Sequence, residues 1–372
     1  MAAKSEIKAL TGLRGIAAMM VAVYHVNPEL SARSAPGIGT ILGKGYIWVD
    51  LFFVLSGFVL ALNYAPRFAE GISINGWGDF LIRRIARIYP LYVAVILAGG
   101  VIMVAGYGKA FAMPLLDPRM HHPVTLGIAN LLMIQSWGFG PSIDGTAWSL
   151  SAEWAIYLLF PILITLALFS RARTASLLAM VAAGAALTTV LLTGSDGEVH
   201  RGPLDAYDGG TGEPLLRCLG DFVLGLLAFR LAEWARGLDR LASDAAVGTG
   251  VVLFVVSLVA GFHDLAILPL FPLLVAGLYG NRGRIGRLIG CKALYGLGVV
   301  SYSVYLVHPY FVVPKKALVD WAQGSLPGPE GDFVASVTVY AAVLLTSGIT
   351  YRCIEEPGRR YVNRLADVLV SR

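Results

Sequence analysis

Residues 10–27 read LTGLRGIAAMMVAVYHVN. A helix needs about 20 mainly apolar residues to cross the hydrocarbon core of a bilayer, and this run has nearly that length. It is not a cleavable leader, because Arg14 and His25 interrupt it and Asn27-Pro28 stand where a small-residue cleavage site would be. It reads as a first membrane helix. The same pattern recurs down the chain, with apolar runs near 10–27, 45–64, 88–106, 147–169, 175–193, 215–232, 245–261, 265–280, 289–313 and 332–352.

Composition agrees with that reading. Of 372 residues, 56% are hydrophobic and 14% charged, whereas a soluble domain carries about 25% charged residues; the mean hydropathy is +0.69. The expected fold class is all-α, a polytopic integral membrane protein with about ten transmembrane helices. No polar stretch is long enough to fold separately, so 1–372 reads as one membrane domain, with lipid as its surroundings. The net charge of +5 does not point to nucleic acid, because the basic residues sit in short clusters between apolar runs, where membrane orientation accounts for them. Cys218, Cys291 and Cys353 lack CxxC spacing, so neither a disulfide framework nor a bound metal is expected.

Those clusters also decide the topology. They fall at Lys4/Lys8, Arg83/Arg84/Arg87, Arg171/Arg173, Arg230/Arg236/Arg240, Arg282/Arg284/Arg287/Lys292 and Arg352/Arg359/Arg360/Arg364. An additional apolar run, 123–137, ends in Gln135-Ser136. If it does not span, every cluster lies on one side; if it spans, the later ones change sides. The positive-inside rule favours ten crossings, both termini cytoplasmic, and 107–146 external or re-entrant.

Polar side chains inside apolar runs are costly, about 2.5–3.5 kcal/mol for a charge at a helix centre on insertion scales. Arg14 and His25 stand eleven residues apart, which is three turns plus about 20°, so they share a face about 16 Å apart along the axis. Two arrangements fit. Arg14 can reach the inner surface while His25 bonds a neighbouring helix, or both can face one polar cavity; the common face favours the cavity. Asp50, in WVDLFFVLSGF (48–58), stands near the outer end of the second run, as His25 does in the first. It fits either a carboxylate orienting that imidazole or a structural partner for a helix end. Ser56-Gly57 in the same run suits a packing notch.

FLIRRIARIYP (80–90) places Arg83, Arg84 and Arg87 just before a membrane helix. Guanidinium forks bind phosphate bidentately, although positive-inside charge explains such clusters too. In GTAWSLSAEWAIY (145–157), Ser149, Glu153 and Tyr157 at i, i+4 and i+8 form a polar stripe, and Glu153, with no basic neighbour in sequence, is expected either to partner a base on another helix or to keep its proton. In SYSVYLVHP (301–309), Tyr302, Tyr305 and His308 recur at i, i+3 and i+6; His308 fits both a cavity lining and a packed histidine. HRGPLD (200–205) matches an HxxxxD acyltransferase pattern, but it falls in an expected external loop and is set aside.

Taken in order, LRGIA (13–17) with His25, DLFFVLSGF (50–58), RRIARIYP (83–90), WSLSAE (148–153), SYSVYLVH (301–308) and EEP (355–357) resemble the multi-pass membrane acyltransferase family three. Its members acylate bacterial surface polysaccharides, lipopolysaccharide, Nod factors and some macrolides. The resemblance extends over nearly the whole chain. It implies a bacterial inner-membrane acyltransferase that takes acyl-CoA, expected in the form of acetyl-CoA, and a hydroxylated acceptor, a carbohydrate first and a macrolide or other small molecule as alternative. It implies essential roles for Arg14 and His25 and a donor role for Arg84 and Arg87, with Arg83 beside them. Catalytic parts for Asp50 and Glu153, and substrate contacts for Trp148, Ser149, Tyr305 and His308, follow on the matching segments. A polytopic transporter is the non-enzyme alternative, since transporters also bury such side chains.

Overall fold

The computed structural model describes residues 7–27, 34–102, 105, 123–194, 201–207, 212–234, 240–325 and 329–370. Among them every regular element is helical and there is no strand. In chain order the elements that build the core are α1 (Lys8–Val26), α2 (Pro36–Gly43), α3 (Trp48–Phe68), α4 (Ile74–Ile102), α5 (Pro123–Leu131), α6 (Trp148–Ile164), α7 (Ala172–Thr193) and α8 (Glu213–Trp234). They are followed by α9 (Asp244–Val259), α10 (Asp264–Ile267), α11 (Leu270–Gly280), α12 (Arg284–Ile289), α13 (Lys292–Val299), α14 (Ser301–Val307), α15 (Val312–Ser325), α16 (Pro329–Thr350) and α17 (Glu356–Val370).

Six helices among the described residues are long and apolar enough to cross a membrane, and a seventh is reached if Lys292–Val299 and Ser301–Ala322, bent by 55°, count as one broken span. The shortfall from ten has local causes. α8 covers the run expected at 215–232 but carries Arg217, Asp221 and Arg230 inside it. The runs at 245–261 and 265–280 fold as shorter helices, Asp244–Val259 and Asp264–Gly280. The run at 289–313 is not one helix: it breaks at Val300 and passes into a 3-10 turn at His308–Phe311. The run expected from residue 88 starts earlier, because α4 takes in the arginine cluster from Ile74 onward.

Segment 123–137 does not form a spanning helix. α5 has nine residues, about 14 Å of rise against a core of about 30 Å, and the chain then turns through Met133 at φ 56° into a 3-10 turn at Gln135–Trp137. That turn is fastened to the start of α6: Ser136 Oγ donates to the Trp148 carbonyl and Trp137 Nε1 to the Ser151 carbonyl, at 3.1 and 3.0 Å.

Large apolar side chains point outward, as lipid requires. On α7, Leu177, Met180, Val181, Leu187 and Leu191 are all exposed, an outer surface that water would not tolerate on this scale. Inside, α3 is the most enclosed of the spanning helices, with 83% of its span buried. It packs along α8 at a glycine crossing: a Cβ on Gly57 would run into the Phe222 carbonyl, and one on Gly225 into the Val54 carbonyl. α1 approaches α13 in the same way, Gly15 meeting Gly298. With no hydrophobic drive between helices in lipid, such close backbone contact is what holds them together.

Candidate active site

Residues of α1, α3, α4, α6 and α14 surround one cavity of about 370 Å³. α3 supplies Val49, Phe52, Phe53, Leu55, Ser56, Val59, Leu60, Leu62 and Asn63, which at about 100° per residue spread over about half of the helix circumference. α6 supplies the predicted polar stripe, with Ser149, Glu153 and Tyr157 all lining the cavity. Arg14 comes from α1, Arg84 and Arg87 from α4, and Tyr302 and Tyr305 from α14. The cavity therefore gathers Arg14, Arg84, Arg87, Ser149, Glu153 and Tyr305 of the predicted site, and His25, Asp50, Arg83, Trp148 and His308 lie outside its lining.

The three arginines of α4 do different things. Arg83 is held away by Asp79, at 3.0 Å from its Nε, and by Asp367, at 2.9 Å from Nη2. Arg87 forms an ion pair with Glu355. Arg84 donates through Nη2 to the Tyr64 hydroxyl at 3.0 Å and lies over the Tyr64 ring at 5.3 Å; its buried Nε has no hydrogen-bond partner. Arg14 donates from Nη2 to the Gly298 carbonyl at 3.0 Å, close to where α13 meets α1.

Glu153 finds its partner across the cavity in the Ser56 hydroxyl, so the pair Ser56-Gly57 divides its work: Gly57 makes the notch and Ser56 faces the carboxylate. Ser149 Oγ and Tyr305 Oη lie 2.7 Å apart, and Tyr305 Oη donates to the Thr146 carbonyl at 3.0 Å. Asp144 caps the same turn, accepting from the Ala147 and Thr146 amides at 2.7 and 3.0 Å. Burial pushes its carboxyl up to about 6, against the pull of those amides.

Tyr305 also connects the cavity to a histidine pair, its ring 5.9 Å from that of His308. His308 Nε2 stands 3.3 Å from His25 Nδ1, with ring centroids 5.2 Å apart. His25 Nδ1 is 3.0 Å from the Val21 carbonyl, and His308 Nδ1 is 3.1 Å from the Val304 carbonyl. A carbonyl only accepts, so each Nδ1 carries the proton. That assigns the lone pair of His308 to the Nε2 facing His25, and leaves His25 Nε2 as the unprotonated nitrogen.

Asp50 is committed elsewhere. Arg217 of α8 takes both of its oxygens, Nε at 2.8 Å and Nη2 at 2.6 Å, and also donates to the carbonyls of Ala206 and Tyr46, each at 2.9 Å. Both side chains of this pair are essentially sealed, at 1% and 0% exposure. Trp148 lies against the same guanidinium at 5.2 Å. From the sequence Ser56 was read only as part of a packing notch and Glu355 only within the matching EEP segment, and Arg217 was not singled out, although a signal existed, a lone arginine with Asp221 one turn on inside an apolar run. Of the HxxxxD match, His200 lies outside the described residues, and Asp205 accepts from the Tyr24 hydroxyl at 3.2 Å. Among the described residues no three His, Cys, Asp or Glu side chains converge as a metal site.

The sequence profile of a family described as an acyltransferase domain matches residues 7–352. The chain belongs to that family, acyltransferase family three. It is 28% identical to acyltransferase MdmB of Streptomyces mycarofaciens over 98% of this chain and 95% of that protein. It is 24% identical to the putative peptidoglycan O-acetyltransferase YrhL of Bacillus subtilis, over 81% of this chain and 48% of the relative. It is 23% identical to O-acetyltransferase OatA of Staphylococcus aureus, over 94% and 57%. The chain thus spans nearly all of MdmB and about half of the two O-acetyltransferases. No solved structure matches it. A polytopic membrane acyltransferase is therefore the class of protein in which this cavity operates.

Proposed function

We propose that this acyltransferase moves an acetyl group from acetyl-CoA, entering from the cytoplasm, onto a hydroxyl of a cell-surface glycan. The observation that carries the reading is the layout of one cavity: guanidinium groups from Arg14, Arg84 and Arg87, then Glu153 and Ser149, then Tyr305 leading to the His25–His308 pair. Phosphates of the donor meet the guanidinium groups of Arg14, Arg84 and Arg87 that line the cavity, and the pantetheine arm follows the apolar face of α3. His25 Nε2 takes the proton of the acceptor hydroxyl, the oxygen attacks the thioester carbonyl, and the coenzyme thiolate leaves and recovers a proton from the imidazolium. Asp50 acts at a distance, fixing Arg217 and with it Trp148 and the end of α3. Residence in a bacterial inner membrane with both termini cytoplasmic belongs to the same proposal, and rests on the basic clusters.

The test is release of free coenzyme thiol by the purified protein in lipid vesicles. Release that depends on acetyl-CoA and on added glycan supports the proposal; binding without thiol release, or movement of a solute without it, overturns it in favour of a transporter. Comparing the mass of surface glycans between a knockout and its parent tests the acceptor. An unchanged glycan with a newly unmodified small molecule would move the acceptor to the macrolide-like class. Reporters fused at positions 110 and 200 are expected on the same, external side.

A further inference from the structure

Behind the wall of the cavity, a carboxylate that does not line it is joined to a guanidinium that does. α16 does not run straight into α17: five residues, Tyr351–Glu355, form a π-helical turn between them. Such turns are rare and rotate the side chains that follow. Here the turn directs Glu355 inward, where it is 1% exposed. Its Oε1 accepts from Arg87 Nη1 and its Oε2 from the Ser303 hydroxyl, the latter at 2.7 Å. The Arg87 guanidinium is held against the Tyr302 ring, 5.5 Å from its centroid, and Tyr302 is fixed by donating to the Ile88 carbonyl at 2.6 Å. Glu355 thus ties α4, α14 and the chain's last helices together at one guanidinium. Arg87 and Tyr302 line the cavity; Glu355 does not.

We propose that Glu355 is a positioning residue for the donor site: it holds Arg87 in the cavity wall so that a phosphate of the acyl-CoA meets a cation already in place. This rests on the donor reading given above. A guanidinium on a long stem loses several rotors when it binds an anion, and a fixed carboxylate partner removes that loss beforehand. Glu355 also keeps the arginine from leaning across the cavity toward Glu153, which a freed cation would otherwise approach.

The experiment is a double-mutant cycle read as KM for acetyl-CoA and kcat separately, on the full-length protein in vesicles. Glu355→Gln keeps the shape and the bond from Ser303 but loses the charge; KM is expected to rise about tenfold with kcat changed by less than about twofold. On an Arg87→Ala background the same substitution is expected to change KM by less than about twofold, because its partner is gone. An equal KM rise in both backgrounds, or a fall in kcat with KM unchanged, overturns the proposal. If Glu355→Gln does not accumulate, Glu355→Asp and Ser303→Ala carry the same cycle, with a rise of about threefold expected with Arg87 present and none without it. Arg87→Ala that leaves KM unaltered overturns the donor reading itself, whereas a KM effect for Arg87→Ala with none for the Glu355 variants overturns only the positioning role.

Discussion

His308 Nε2 lies 3.3 Å from His25 Nδ1, so the two imidazoles from helices nearly three hundred residues apart in sequence form one proton-bearing unit. With His25 Nδ1–H shared between the Val21 carbonyl and His308, the imidazolium formed when His25 Nε2 takes a proton is stabilised on its far side. His25→Gln keeps hydrogen bonding but cannot act as a base, and its turnover is expected to fall about a hundredfold or more. His308→Gln, whose amide oxygen still accepts from His25, is expected to lose less than His308→Phe, which accepts nothing. Turnover ranked wild type, His308→Gln, His308→Phe, His25→Gln is the expected order in a thiol-release assay; a near-normal His25→Gln would remove the base and pass that role to Glu153.

The arginines of α4 are expected to separate in the same assay. Arg84→Ala removes the guanidinium whose Nε has no partner in the cavity, and a lost charge-assisted phosphate bond of about 1.5–3 kcal/mol raises the donor KM by about tenfold to a hundredfold. Arg83→Ala, already spoken for by Asp79 and Asp367, is expected to leave the donor KM within about twofold. Equal effects at the two positions would contradict the sorting.

The sealed pair of Arg217 and Asp50 makes a stability prediction. Asp50→Asn leaves a guanidinium buried with too little to balance it, a cost of about 3–5 kcal/mol, whereas the joint replacement Asp50→Leu with Arg217→Met removes both charges and costs far less. Thermal unfolding followed in detergent is the measurement. A double variant no more stable than Asp50→Asn would show that the pair does more than neutralise itself.

Asp144 predicts a pH dependence of the opposite kind to an ordinary salt bridge. Its carboxyl is raised by burial to about 6, above its unfolded value near 3.9, so the folded form holds the proton more tightly. Its contribution to stability is greatest below the unfolded value and declines as pH rises toward and through about 6. Asp144→Asn, which is neutral throughout and can still accept from the Ala147 amide, is expected to flatten the fall in thermal midpoint between about pH 4 and 7.

Much of this molecule was legible in its sequence. Long apolar runs identified a membrane protein, and the i, i+4, i+8 stripe of Ser149, Glu153 and Tyr157 pointed to the cavity that all three line, because both signals are local and periodic. The partners were not legible. Asp50 meets Arg217 across 167 residues and Arg87 meets Glu355 across 268, and no helical period records which of two distant helices will touch. For the same reason three neighbouring arginines looked alike, although Asp79, Glu355 and Tyr64 give them three different tasks. The break at Val300 inside the run 289–313 was hidden as well, since a valine interrupts the helix there without lowering the hydropathy of the run.

The burial of Arg217 also bears on how the protein is made. A translocating helix with an arginine, an aspartate and a second arginine inside it is a poor candidate to enter lipid by itself, by about 2.5–3.5 kcal/mol for each charge near its centre. Its carboxylate partner belongs to α3, 167 residues earlier in the chain, and the glycine crossing of α3 is made with α8. α3 is therefore a template waiting in the bilayer, and α8 of the same chain enters against it, its insertion and its docking being the same event.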